Sequence, residues 1–176
     1  MILWIIVILV VLTFAGWLLI KNKILSMTLG TIFTVLLIAS ISLLSANMHS
    51  HYGMEKVTKT TTHEVYSITP EASPVKAVAV KKIGSQDFVL VYKDKATDKE
   101  AKPHFVPNKK KIVESTKKSA TYDAVNIESS QLVTKKTTWE YKSDTYKKLF
   151  NLGKQDNLVK EQHTLLVPKS WMIMNK

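Results

Sequence analysis

Two imidazoles and two thioethers fall close together at Met48, His49, His51 and Met54. This donor set suits copper, and the thioethers favour the cuprous form. A metal centre also needs a defined geometry and hydrogen bonds that hold its ligands, whereas His49 and His51 alternate along an extended stretch. The simpler account of the segment is a polar linker beside a membrane. The other histidines, His63, His104 and His163, lie in separate predicted strands, and nothing in their spacing joins them. The chain has no cysteine and no Gly-x-Ser-x-Gly elbow. Ser50 sits between two histidines, too local for a triad, whose partners come from different elements. Asp98 with Glu100, and Glu55 with Glu64, fall in polar stretches where solvation explains them. Five dispersed glycines form no phosphate-binding loop. No catalytic residue and no cofactor is expected, and the chain reads as a non-enzyme.

Charge is the second chemical signal. All 25 residues counted as Lys+Arg are lysine, and the formal net charge is +11. Arginine is the residue suited to bidentate phosphate and base-edge recognition, so its absence argues against a nucleic-acid partner. Lysines cluster at Lys109, Lys110 and Lys111, and at Lys147 and Lys148, with pairs at Lys81-Lys82, Lys117-Lys118 and Lys135-Lys136. If several share a face, they make a surface for anionic lipid or an anionic wall polymer, since each lysine near such a surface contributes about 1 kcal/mol.

The elements that must position these groups begin with two uncharged apolar runs, residues 2–20 and 24–46, separated by Lys21, Asn22 and Lys23. About 20 such residues cross a bilayer as a helix. The pattern predicts a transmembrane hairpin over 1–46 with a cytoplasmic loop at 21–23, because short lysine-rich loops stay inside. Both chain ends then lie outside, and residues 47–54 are a juxtamembrane linker. A cleaved signal peptide is the competing reading, but Leu43 and Leu44 stand where small residues are wanted. Ser26, Gly30 and Thr34 recur on one face of the second helix and pair with Gly16 on the first, as close packing in lipid requires. Trp4 and Trp17 mark the two ends of the first helix.

Residues 55–176 make one domain of ordinary size, held without disulfides. Valine, threonine and tyrosine dominate it, which favours strands. Strands are predicted at 57–68, 75–83, 86–93, 122–128, 132–142 and 158–167, with edge strands at 105–106 and 112–113 and a loop at 94–102. The pair 75–83 and 86–93 is a hairpin across Gly84-Ser85. In 132–142, Val133, Lys135, Thr137, Trp139 and Tyr141 share one face. A helix follows Ser143 as cap, with Tyr146, Leu149 and Phe150 on one face and Gly153 ending it. The expected class is α+β: an N-terminal transmembrane hairpin, then a mainly antiparallel sheet or sandwich with one short helix.

The strings Trp139-Glu140-Tyr141-Lys142, Leu149-Phe150 and Leu166-Val167-Pro168-Lys169-Ser170-Trp171, with the two-helix layout, resemble a family of uncharacterised small membrane proteins of lactic acid bacteria. The resemblance implies a Gram-positive cell membrane and an extracytoplasmic C-terminal domain, and it brings no catalytic residue. The function expected is a non-enzymatic, membrane-anchored envelope protein whose lysine-rich outer domain binds an anionic polymer or a protein. The alternative is an accessory subunit of a larger complex, such as a transporter, meeting a polytopic partner through its helices.

Overall fold

The computed structural model describes residues 1–84, 87–107, 112–153 and 157–175. Two helices come first, α1 (Ile2–Leu18) and α2 (Lys23–Ser50). Asn22 starts α2 by accepting the amides of Ile24 and Leu25 on its side-chain oxygen. The helix ends at His51, which is left-handed at φ 54° and donates its amide to Ala46. Only α2 is long and apolar enough to cross a membrane; α1 is a shorter apolar helix. The expected helix bounds therefore shift. The first helix stops at Leu18, and the second runs through Ser50, so the expected linker is helical over its first half.

Among the described residues, eight strands and two more helices follow: β1 (Met54–Glu64), β2 (Ala77–Lys82), β3 (Phe88–Tyr92), β4 (Lys102–His104), α3 (Ile112–Thr116), β5 (Lys118–Val125), β6 (Gln131–Tyr141), α4 (Asp144–Phe150), β7 (Leu158–Pro168) and β8 (Met172–Asn175). The chain forms two compact units, one of residues 1–56 with 139–157, the other of 57–138 with 158–176. Of the outer domain expected over 55–176, residues 139–157 fall in the first of these units.

In the first unit, α1 and α2 pack together, and α4 belongs with them. Ser143 caps α4 by accepting the Tyr146 amide, and Phe150 is fully buried at its end. The Lys142 amide donates to the Gly53 carbonyl. Gly53 has φ +78°, and a Cβ there would meet the Tyr146 ring at 2.5 Å. Both facts require glycine at this corner.

The strands form two four-stranded sheets, ordered β1-β6-β7-β5 and β4-β3-β2-β8. The predicted β2–β3 hairpin is present, with Val80 opposite Leu90. Both sheets are mixed, however, and depart from the antiparallel expectation. Strands β5 and β7 run parallel, as do β2 and β8, through long-range pairings that no local turn signal announces. The expected edge strand at 105–106 lies one step earlier. There Pro103 takes an edge position opposite Val91, where its missing N–H costs no ladder bond. Phe105, at φ +61°, turns the chain out of β4. Residues 112–116 are helical, closed by a bond from the Thr116 hydroxyl to the Val113 carbonyl.

The core of the second unit joins Val65, Val78, Val80, Leu90, Tyr92, Ala120, Leu132, Leu165 and Val167. Within β6 it is Leu132 that is buried, while Lys135 is exposed. The core side of that strand is thus the one opposite the face that Val133 and Lys135 share, as one-residue alternation requires.

Candidate functional site

The helix pair of the first unit is built around Gly16 and Gly30. A Cβ on Gly16 would lie 3.2 Å from the Gly30 backbone, and one on Gly30 would strike the Trp17 ring at 2.7 Å. A Cβ on Gly30 would displace the Trp17 ring, and one on Gly16 would push the Gly30 backbone back by a few tenths of an ångström. The Ser26 hydroxyl donates to the Gly16 carbonyl at 2.9 Å, and the Thr34 hydroxyl donates to the Gly30 carbonyl at 2.7 Å. Trp17 Nε1 in turn donates to Thr34 Oγ1 at 3.3 Å. The four predicted packing residues are therefore gathered at one crossing. Away from it the large side chains point outward: Trp4 is 74% exposed, Phe14 63%, Ile24 80% and Ile38 58%.

The four predicted metal donors take separate roles. Met48 and His49 are exposed on the last turn of α2. The His51 ring stacks on Trp139 with centroids 4.1 Å apart, and Met54 is buried. Lys56 places its ammonium 5.2 Å from the Trp139 centroid. Among the described residues, no three His, Cys, Asp or Glu side chains are grouped to hold a metal.

Of the predicted lysine surface, Lys109, Lys110 and Lys111 lie outside the described residues. Lys147 and Lys148 are exposed on the last turn of α4, where positive charge complements the helix dipole. Just beyond, the Met1 nitrogen donates to the carbonyls of Lys148 and Leu149 at 3.1 and 3.2 Å. Tyr52, Tyr146 and Phe150 form an aromatic cluster between the end of α2 and α4. A hydrogen bond with Tyr146 raises the pKa of the Tyr52 phenol.

The second unit holds an aromatic array that spacing alone does not reveal. Tyr92 stacks on His104 at 4.0 Å, His104 tilts against Phe105, and Phe105 stacks on His163 at 3.9 Å. His163 sits on central strand β7, between Ala120 of β5 and Thr134 of β6. Its Nδ1 hydrogen-bonds with Thr134 Oγ1 at 3.0 Å, and its Nε2 lies 3.6 Å from Glu161 Oε1. Glu161 is already paired with Lys118 at 3.2 Å. Burial lowers the His163 pKa, with Glu161 raising it and Lys118 lowering it. His104 Nε2 is buried without a hydrogen-bond partner among the described residues, 3.7 Å from Asp94 Oδ1. Burial, then Asp94, pushes the Tyr92 phenol up. Beside the array is a cavity of about 110 Å³ walled by Ile83, Phe88, Phe105 and Ala120, with Asp87 and Lys118 also lining it. A sequence signal for His163 did exist: it shares strand parity with Leu165 and Val167. No comparable signal marks His104.

An apolar N-terminal helical region joined to two mixed sheets defines the class as an α+β protein with a candidate membrane helix. The chain belongs to the family described as a domain of unknown function (DUF4811), which matches residues 21–176 and so begins after α1. Comparison with curated proteins and with solved structures gives no match.

Proposed function

We propose that the chain is a non-enzymatic integral membrane protein of the cell envelope, anchored by α1 and α2 as a two-pass pair. In this reading residues 21–23 are cytoplasmic, the β-rich part is extracytoplasmic, and exposed lysines bind an anionic polymer or lipid or a protein partner. The observation that carries it is the inverted packing of the helices. Small residues and hydroxyls meet at the crossing while Trp4, Phe14, Ile24 and Ile38 face outward. In water that surface would be a large aggregation-prone patch; in lipid it is the solvated face. At 1.5 Å per residue α2 spans about 42 Å, so about 12 Å extends past a hydrocarbon core of about 30 Å. That length brings Met48 and His49 to the headgroups. Helix α1, at about 25 Å, is just long enough when the bilayer thins slightly.

The contact of Met1 with the carbonyls of Lys148 and Leu149 sets the end of α4 beside the start of α1. Lys147 and Lys148 are then near headgroup depth, where positive side chains gain most from anionic lipid. The resemblance to small membrane proteins of lactic acid bacteria makes the envelope a Gram-positive one. The small-residue face is used within the chain, which argues against the accessory-subunit alternative, since a partner helix would need a second such face. The test is flotation of the full chain, reconstituted in vesicles, against fluorescent anionic wall polymer and against vesicles with and without anionic lipid. Capture by the native chain should weaken steeply as salt rises to physiological strength, where screening shortens to about 8 Å, and exchange of Lys147 and Lys148 for glutamine should lower it already at low salt and flatten that dependence. Capture unchanged by the double exchange at low salt would remove α4 as the binding surface.

A further inference from the structure

We propose that the stack Tyr92–His104–Phe105–His163 is an acid-operated latch between the two sheets of the second unit, in which protonation of His163 releases Phe105 and opens the cavity that its ring walls. The inference stands on geometry within that unit and is independent of the membrane reading.

The ring of Phe105 bridges the sheets. Its chain leaves β4, while His163, on which it stacks, is on β7 of the other sheet. Its backbone is left-handed at φ +61°, a conformation an L-residue with a bulky side chain adopts only under constraint. Two imidazoles supply that constraint, His163 stacked on the ring and His104 tilted against it.

Neutral His163 fits this place. It needs one donor and one acceptor partner, and Thr134 Oγ1 meets Nδ1 at 3.0 Å. A protonated ring carries two N–H donors, and among the described residues Nε2 has no acceptor within hydrogen-bond range. The nearest is Glu161 Oε1 at 3.6 Å, and the other oxygen of that carboxylate is held by Lys118. To complete its second bond the imidazolium must move toward Glu161, and so off Phe105, while Lys118 loosens at the cavity. A cation over the Phe105 face gains some attraction to the ring, which opposes the movement but gives Nε2 no acceptor. The groups facing His163 are therefore Thr134 on β6, Lys118 on β5, Glu161 on its own strand, and Phe105 after β4. Beyond Phe105 stand His104, Tyr92 and Asp94.

The two flanking charges act on the proton in opposite directions, and this gives the test its sign. Hydrogen exchange of the full chain in detergent micelles, corrected for intrinsic exchange, is followed from about pH 7.5 to about pH 5, the range in which an imidazole titrates. Segments 102–106 and 161–165 should lose protection on acidification by up to about tenfold per pH unit, the limit for one proton. Lys118→Gln removes a charge that disfavours the imidazolium and should move the transition to higher pH. Glu161→Gln removes the one that favours it and should move the transition lower. His163→Gln should flatten the dependence, while His63→Gln, at an exposed site, should leave it intact. If His163→Gln does not fold, the opposed shifts of the other two still decide. Coincident midpoints, shifts in the same direction, or no change in segment 102–106 would overturn the latch.

Discussion

Gly30 tolerates nothing larger, because the Trp17 ring occupies the space where its Cβ would be. Gly30→Leu should separate α1 from α2, with a loss of about 1–3 kcal/mol or more in a detergent melt, while Gly84→Leu, near no packed helix, should leave that transition in place. His163 offers a second residue-scale prediction. Its folded pKa lies below the unfolded 6.5, so the unfolded chain binds more protons in the window beneath 6.5. Stability is full above that window and falls as pH drops through it, down to the lower folded value. Urea midpoints should be level from about pH 8 to 7 and decline below about pH 6.5, a decline that Lys118→Gln makes smaller by raising the folded value toward the unfolded one. The packing residues Gly16, Ser26, Gly30 and Thr34 were legible because four-residue periodicity in an apolar run admits few other purposes. The histidine array was not. It depends on Phe105 taking a left-handed backbone and on a pairing across two sheets, neither of which leaves a mark in local spacing.

Short elements here stand on single buried contacts. Helix α4 has only seven residues, below the length at which a helix holds itself in water. It persists because Ser143 caps it and Phe150 is fully buried. Phe150→Ala should cost about 3–5 kcal/mol and Ser143→Ala about 0.5–2 kcal/mol. Exchange of the α4 amides should rise in both, more in the first. Strand existence was readable from valine and threonine content, and the β2–β3 hairpin from Gly84 followed by a buried run at Val89 and Leu90. Strand parity in β6 was not readable, because each of its faces carries threonine, a lysine and an aliphatic residue, Leu132 on one and Val133 on the other. The extension of α2 to Ser50 was hidden too. Its last turn is polar, and what stops it is the left-handed turn at His51, ahead of Gly53.

For the whole molecule, the proposed topology makes one decisive prediction. Protease added to intact protoplasts should remove a tag at the C-terminus and spare a tag inserted at Asn22. Protection of the C-terminal tag would reverse the orientation, and loss of both would mean that α2 does not separate Asn22 from the C-terminus. The apolar start and the β-rich remainder were evident from the sequence, since hydropathy falls abruptly near residue 50 and long apolar runs give way to short segments rich in valine, threonine and tyrosine. The division into two interleaved units was not, because residues 139–157 join the helices through Trp139, Tyr146 and Phe150.

The parallel pairing of β2 with β8 carries a further consequence for timing. Ala77 is opposite Met172, so one sheet is finished only by residues made about ninety positions later. An emerging chain cannot close that sheet early. It waits, with one flank of β2 unpaired, until residues 172–175 have appeared. On the proposed topology the β-rich part is threaded across a bilayer and gains from such a delay, because a domain that folded too soon would jam its own passage. The same delay leaves a window in which an unpaired β2 is vulnerable to proteases and to neighbouring chains, and removal of Met172 to Asn175 would make that window permanent.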